Sequence, residues 1–306
     1  MFEVRGATEP EIETWRAGWA ARLRERYAAR YRDPAAVARE VERNLAAQAG
    51  DGGAVYTVEV GGAPAGHLAL GGAVPRRPDD RRLFDLWLAP ERRGRGLARP
   101  LVAWARRQAA AGGGARLSVA VVPGDAASDA LFGAYPLRAQ QMVTTVAAGV
   151  TLPDGICGRA MTEAEFGPWR ADRVRLYAES VAASGALPPA DAQARAAAEF
   201  DALLPGGLAT DGQRFHCLVH DGQVVGTIWL EHALLPGVSF VNGVDVGAAH
   251  RGRGYGRAAM LLGAQATAAA GDAQLALNVF GHNTVARRLY DSLGYQVVEQ
   301  FRADDL

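Results

Sequence analysis

One stretch of this chain repeats itself. Leu86–Leu137 aligns without a gap on Val244–Tyr295 at a constant offset of 158 residues, and Arg93, Gly94, Arg95, Gly96, Arg99, Leu117, Val121 and Leu131 meet identical residues. Self-similarity at a fixed offset marks a duplicated folding unit, so whatever the first copy folds into, the second should fold into as well. A length of 306 residues suits two domains of ordinary size. The boundary is placed at 150/151, giving copies 1–150 and 151–306, with Pro153-Asp154-Gly155 as the best linker.

Both copies read as one series of elements. Helical composition over Ile12–Tyr31 and Ala35–Ala49 precedes an alternating strand at Val55–Val60, a Gly61-Gly62 turn and a second strand near His67–Leu70. A Pro/Arg/Asp loop then leads to a strand at Leu83–Leu88, a glycine turn, a helix closed by Gly112-Gly113-Gly114, and a strand at Leu117–Val122. In the second copy Thr162 and Glu165 form a capping box, and helical stretches run to about Leu204. Strands are expected at Phe215–Val219, Val224–Leu230, Ser239–Val246 and Leu275–Val279. A last helix at Asn283–Ser292 precedes a closing strand at Gln296–Phe301. The fold class is therefore α/β (α+β).

Composition removes several functions. Acidic and basic residues balance at 33 each, so no global field favours nucleic acid or an anionic membrane. Cys157 and Cys217 lack metal-ligand spacing, and no metal is expected. Neither a signal segment nor a long apolar span is evident, which makes a cytoplasmic location the default. All 33 basic residues are arginine, a bias explained by a GC-rich genome that also favours Ala and Gly. Without lysine there is neither a Schiff base nor a Walker-type phosphate lysine.

The chemistry concentrates in the turn Arg251-Gly252-Arg253-Gly254-Tyr255-Gly256, between an apolar strand and an alanine-rich helix. Such a turn sets a row of backbone N–H groups at the positive end of a helix dipole, a ready site for phosphates. A Rossmann fingerprint fails because Arg257 stands where its third glycine belongs, and a Walker loop fails for want of lysine.

Strand, Arg-Gly-x-Gly-x-Gly turn, helix, strand, then Asn283-x-x-Ala286-x-x-x-Tyr290, resembles the GNAT acetyltransferase superfamily. The resemblance covers both copies and is specific in the second. It implies two tandem domains, each a mixed, mostly antiparallel sheet flanked by helices, in which two central parallel strands splay apart. Acetyl-CoA then lies in the gap. Its pyrophosphate rests on Arg251, Gly252, Arg253, Gly254, Tyr255 and Gly256, and its pantetheine arm runs along Val244 and Val246, with Asn278 and Asn283 nearby. By the same resemblance Tyr290 points its hydroxyl at the sulfur as general acid.

The base is open among Glu231, His232, Asn242 and Asp245, with Glu231 preferred because it ends a strand that should line the acceptor cleft. Acceptor selectivity is expected in the first helices and in the loops 187–212 and 232–238. The first copy departs at telling positions: Phe132 replaces Tyr290, Asp125 replaces Asn283, and Pro123-Gly124 and Tyr135-Pro136 interrupt the final helix and the turn after it. A degenerate first copy and a catalytic second copy follow. The expected activity is acetyl transfer to the amine of a small molecule, by a monomer or homodimer. Alternatives are a noncatalytic acyl-CoA-binding or sensing protein, another acyl donor, or a protein amine as acceptor.

Overall fold

A computed structural model describes residues 2–50, 52–74, 77–183 and 188–306. The first copy contains β1 (Phe2–Gly6), α1 (Glu9–Ala28), α2 (Pro34–Gly50), β2 (Ala54–Val60), β3 (Ala63–Val74), β4 (Arg77–Leu88), α3 (Ala98–Ala111), β5 (Arg116–Val121), α4 (Ala126–Phe132) and β6 (Leu137–Thr145). The second contains β7 (Ile156–Ala160), α5 (Glu163–Ala183), α6 (Pro189–Leu203), β8 (Gln213–His220), β9 (Gln223–Leu235), β10 (Val238–Val246), α7 (Tyr255–Ala269), β11 (Gln274–Phe280), α8 (Thr284–Ser292) and β12 (Gln296–Asp305).

The duplication extends further upstream than the shared glycine turn. In α1 the backbone N–H and hydroxyl of Thr8 both donate to Glu11, whose carboxylate also takes a two-pronged bond from Arg5. In α5 Thr162, Glu165 and Arg159 repeat every one of these contacts. Each carboxylate thus ties a preceding strand to an otherwise unsatisfied helix N-terminus, and its paired arginine holds it well below the usual carboxylate range.

Compact units and sequence copies do not coincide at the C-terminus. One unit comprises 1–143 together with 278–306, and the other comprises 144–277. In the first unit the strand order is β1-β2-β3-β4-β5-β12-β6, and in the second it is β11-β10-β9-β8-β7. Among the described residues of these units, β4/β5 and β10/β11 pair in parallel. The strand expected to close the second copy's sheet therefore sits in the first unit, antiparallel to both β5 and β6. Residues there hold it from the helix side. Tyr27 donates its hydroxyl to Glu299 at 2.6 Å, and Arg30 bonds the carbonyl of Val297 at 2.9 Å.

Apolar side chains of α3 (Val102, Ala105, Ala109) pack on Leu117, Val119 and Val121 of β5 to make one core. In the second unit Phe166, Phe200, Phe215 and Trp229 make another. The Pro/Arg/Asp segment expected as a loop is mostly strand: β3 and β4 pair through Val74↔Arg77, while Pro75 and Arg76 lie outside the described residues.

Candidate active site

Both parallel pairs come apart at the same place. β4 and β5 pair only from Asp80↔Arg116 to Leu83↔Val119, and β10 and β11 only from Val238↔Gln274 to Val241↔Leu277. The next residue of each leading strand is a bulge: Phe84 is extra against β3, and Asn242 is extra against β9. A bulge bends its strand and sharpens the local twist, which turns the remaining segment away from its parallel neighbour. β10 nevertheless stays paired to β9 as far as Val246↔Gly226. Among the described residues its pairing with β11 stops at Val241↔Leu277, so the edge from Asn242 through Val244 lies beyond the parallel ladder, a template for an extended amide-bearing chain.

The turn after β10 is built by backbone conformation. Gly252 and Gly254 have φ of 75° and 83°, a region where a side chain is strained, and a Cβ at either would meet nothing within 4 Å. The demand is therefore for left-handed backbone, and the space over the turn is open. Arg251 proves to be a fastener, since its Nε donates to the carbonyl of Val246 at 3.1 Å and pins the turn to the strand. Arg93 does the same to Leu88 at 2.9 Å in the first copy, where Gly94 and Gly96 have φ of 71° and 74°. Arg253 is exposed, whereas Tyr255 turns inward and shares a 2.6 Å hydrogen bond with His220. Tyr255 can offer a ligand only its backbone N–H.

The candidate bases divide between the faces of the sheet. Glu231 accepts from Asn242 Nδ2 at 3.2 Å, beside Gln213, whose amide oxygen also takes the indole N–H of Trp229. His232, the next residue, belongs to the opposite face by strand alternation. There its Nδ1 lies 2.6 Å from the hydroxyl of Ser239, which donates to Asp272, and burial lowers its pKa. Asp245 is 3.6 Å from Arg173 of α5. That leaves Glu231 as the carboxylate directly at the bulge.

Asn278, Asn283 and Tyr290 group with the first unit, while Glu231, Val244, Val246 and the turn 251–256 belong to the second. Asn283 caps α8, its Oδ1 accepting from the N–H of Ala286 at 3.1 Å, which leaves its amide N–H groups for another partner. Tyr290 is half-buried with its ring centre 5.6 Å from that of Tyr295, and burial raises its pKa.

In the first copy the corresponding bulge is covered. Trp19 meets Phe84 edge-on at 6.0 Å and stacks on Trp15 at 5.1 Å. Trp15 Nε1 donates to Asp85 at 2.9 Å, and Arg22 pairs with the same carboxylate. Phe132 is buried against Tyr135. Where the second copy has an exposed asparagine and a carboxylate, the first has a wall of aromatic rings. Sequence reading missed this wall and Arg173. The signal for both was the Thr-x-x-Glu box, which aligns Trp15 with Trp169 and Trp19 with Arg173 once Thr8 is set against Thr162.

A sheet that parts at a bulge beside an anion-binding glycine turn is the framework of an acyl-CoA-dependent acyltransferase. The chain belongs to the acetyltransferase (GNAT) family, whose model matches residues 17–134 and 182–295, about three quarters of its length. It is 32% identical over 141 residues to YycN of Bacillus subtilis, an uncharacterized N-acetyltransferase, covering 44% of this chain and 89% of that protein. With YdgE, another uncharacterized N-acetyltransferase of that organism, it shares 29% over 138 residues, 44% of this chain and 88% of the relative. A tandem GNAT protein from the clavulanic acid biosynthesis pathway superposes with a TM-score of 0.51 at 19% identity, over 100% of this chain and 98% of the other. A GCN5-related N-acetyltransferase from Sphaerobacter thermophilus gives 0.57 at 19%, over 99% and 95%. The protein is thus a tandem GNAT acyltransferase. Among the described residues, no helix is long and apolar enough to cross a membrane.

Proposed function

We propose that the protein transfers an acetyl group from acetyl-CoA to the amine of a small molecule, with the chemistry carried by residues of the second copy, 151–306. The observation that carries this reading is the open bulge at Asn242, with the edge of β10 beyond the parallel ladder and the left-handed glycine turn following it. The first copy keeps the turn but covers its bulge with Trp19 and Trp15.

The residues present fit the donor. The N–H groups of 252–256 at the start of α7 suit a pyrophosphate, the backbone of Val244 and Val246 suits pantetheine amides, and Asn278 and Asn283 supply further amide donors. When bound, acetyl-CoA supplies the activated thioester. An amine of pKa about 10.4 is neutral in only roughly one molecule in 2,500 at pH 7, a cost of about 4.6 kcal/mol. Glu231, held by Asn242, accepts the proton that the attacking amine must lose. Tyr290 donates toward the departing sulfur. Because burial makes its phenol a weaker acid, its contribution is hydrogen-bond stabilisation of the thiolate more than complete proton transfer.

The test is coenzyme A release across a panel of small amines, with Tyr290→Phe and Glu231→Gln beside wild type. Tyr290→Phe should lower turnover about 10–100-fold with donor affinity kept, and Glu231→Gln should remove the limb of the pH–rate profile that reports the base. Full turnover in a folded Tyr290→Phe protein would rule out the assigned acid.

A further inference from the structure

The two copies differ sharply at the residue directly after the bulge. In the first copy it is Asp85, whose carboxylate takes the indole N–H of Trp15 at 2.9 Å and pairs with Arg22. In the second, at the 158-residue offset of the repeat, it is Gly243. The nearest atom that a Cβ there would meet belongs to the Trp229 ring, 4.0 Å away. Trp169 stands where Trp15 does, with its ring centre 5.6 Å from that of Trp229, the residue paired with Gly243. The indole donor is thus kept, while the side chain that carried its carboxylate acceptor is gone. The arginine changes place as well, since Arg22 gives way to Leu176 and Trp19 to Arg173. Arg173 is already engaged through Nη2, 2.6 Å from Asp172 and 3.6 Å from Asp245. Its Nε, however, is buried and has no hydrogen-bond partner among the described residues.

We propose that the acceptor itself supplies the missing carboxylate: it is a small amino acid whose carboxylate lies over Gly243 and takes N–H bonds from Trp169 Nε1 and Arg173 Nε. This names the substrate class of the acetyl-transfer reading and rests on it. An N–H withdrawn from water without an acceptor is costly, and a charged acceptor makes the stronger bond. The groups share one face of the sheet. Trp169 meets the rings of Phe215 and Trp229 from the helix side, and those two residues are paired across β8 and β9. Glu231 follows Trp229 by two residues and Asp245 follows Gly243 by two, so both project to that same side. Two residues along a strand span about 7 Å. An amine separated from its carboxylate by one to three carbons bridges that span, with the amine at Glu231. The amine then takes the acetyl group, its proton passes to Glu231 and the coenzyme thiolate leaves. In the first copy Asp85 holds the carboxylate position itself, which closes that copy to such an acceptor.

The experiment is coenzyme A release by the full chain with acetyl-CoA and a panel of acceptors. The panel holds the common α-amino acids, β-alanine and γ-aminobutyrate, each beside its primary amide, and simple diamines that carry no carboxylate. An amino acid should be the best acceptor. Its kcat/KM relative to its amide should fall about tenfold or more in Trp169→Phe and in Arg173→Lys, which keeps the charge but not the Nε–H. Comparing that ratio between variant and wild type cancels the different basicity of acid and amide amines. Gly243→Asp returns the first copy's carboxylate to the site and should raise KM for the acid about tenfold or more. Acetyl-CoA affinity within twofold of wild type shows that each variant is folded. The inference is overturned if the acid-to-amide ratio is unchanged in both Trp169→Phe and Arg173→Lys, or if Gly243→Asp keeps the wild-type KM. Release with diamines or amides but with no amino acid would overturn it while leaving acetyl transfer standing. Release with no amine at all would overturn acetyl transfer to a small amine and this inference together.

Discussion

Replacing Tyr27 by phenylalanine should cost the first unit far more than losing one oxygen ordinarily does. Tyr27 is 0% exposed and Glu299 beneath it 2%, with the phenol donating to the carboxylate at 2.6 Å and accepting from Asn44 Nδ2 at 2.8 Å. A hydrogen bond to a charged group contributes about 1.5–3 kcal/mol net, and its loss here strands a buried carboxylate. Asn44 keeps a second acceptor, the carbonyl of Glu40 at 3.0 Å, so its share of the loss is small. The expected destabilisation is about 2–3 kcal/mol, or roughly 5–10 °C in Tm for a unit of this size. Tyr31→Phe is the internal control. The Tyr31 hydroxyl accepts from neutral Gln141 at 2.8 Å, and losing it should cost about 0.5–1.5 kcal/mol. Thermal melts followed by near-UV circular dichroism would report the first unit through Trp15, Trp19, Trp87 and Trp104. If Tyr27→Phe cost no more than Tyr31→Phe, Glu299 would not be held beneath α1, and the placement of β12 in the first unit would be wrong.

Glu40, 0% exposed, has Arg43 at 2.5 Å, and burial, the dominant influence, raises its pKa above the ordinary 4.5. A carboxyl raised on folding contributes stability below its ordinary pKa and loses it as pH rises through the raised value. Glu40→Gln should therefore be more stable than wild type in alkaline buffer, with the difference vanishing on acidification, as urea titrations across pH would show. Arg251→Gln removes the Nε bond to Val246 and should loosen the turn, weakening acetyl-CoA about three- to tenfold in equilibrium dialysis. Trp19→Ala empties the aromatic wall of the first copy. It should destabilise the protein by about 3–5 kcal/mol while donor affinity stays within twofold, as denaturation and dialysis would together establish.

The glycine turn, the strands around it and the helix with Asn283 and Tyr290 were all legible, because each has a local signal: left-handed glycines, apolar alternation, a capping side chain. Other features carry none. The alternation of Gln296–Phe301 announces a strand without saying which strands will flank it, so its position between β5 and β6 depends on the buried partners Tyr27 and Gln141. The bulges at Phe84 and Asn242 each add one residue, which period-2 reading cannot separate from a regular strand. Strands β1, β6 and β7 also went unread, β1 and β7 being five residues each with no fully buried side chain to mark them. Glu231 and His232 were both candidates as neighbours in sequence, with Glu231 preferred, and alternation along β9 sets them on opposite faces. The Thr8–Glu11 box, by contrast, was readable by the rule that found Thr162–Glu165 and would have extended the repeat to the start of the chain. Within the acceptor-loop span 187–212, Leu187 lies outside the described residues.

The account rests most heavily on the donor lying on the second copy's turn. Acetyl-CoA should be titrated calorimetrically into wild type, Gly254→Ala and Gly96→Ala. A methyl group at φ 83° costs about 1–2 kcal/mol of backbone strain, so Gly254→Ala should weaken the binding that supports turnover about tenfold, and Gly96→Ala should leave it unchanged. Wild-type affinity in Gly254→Ala, together with loss in Gly96→Ala, would place the working donor site in the first copy and contradict the assignment.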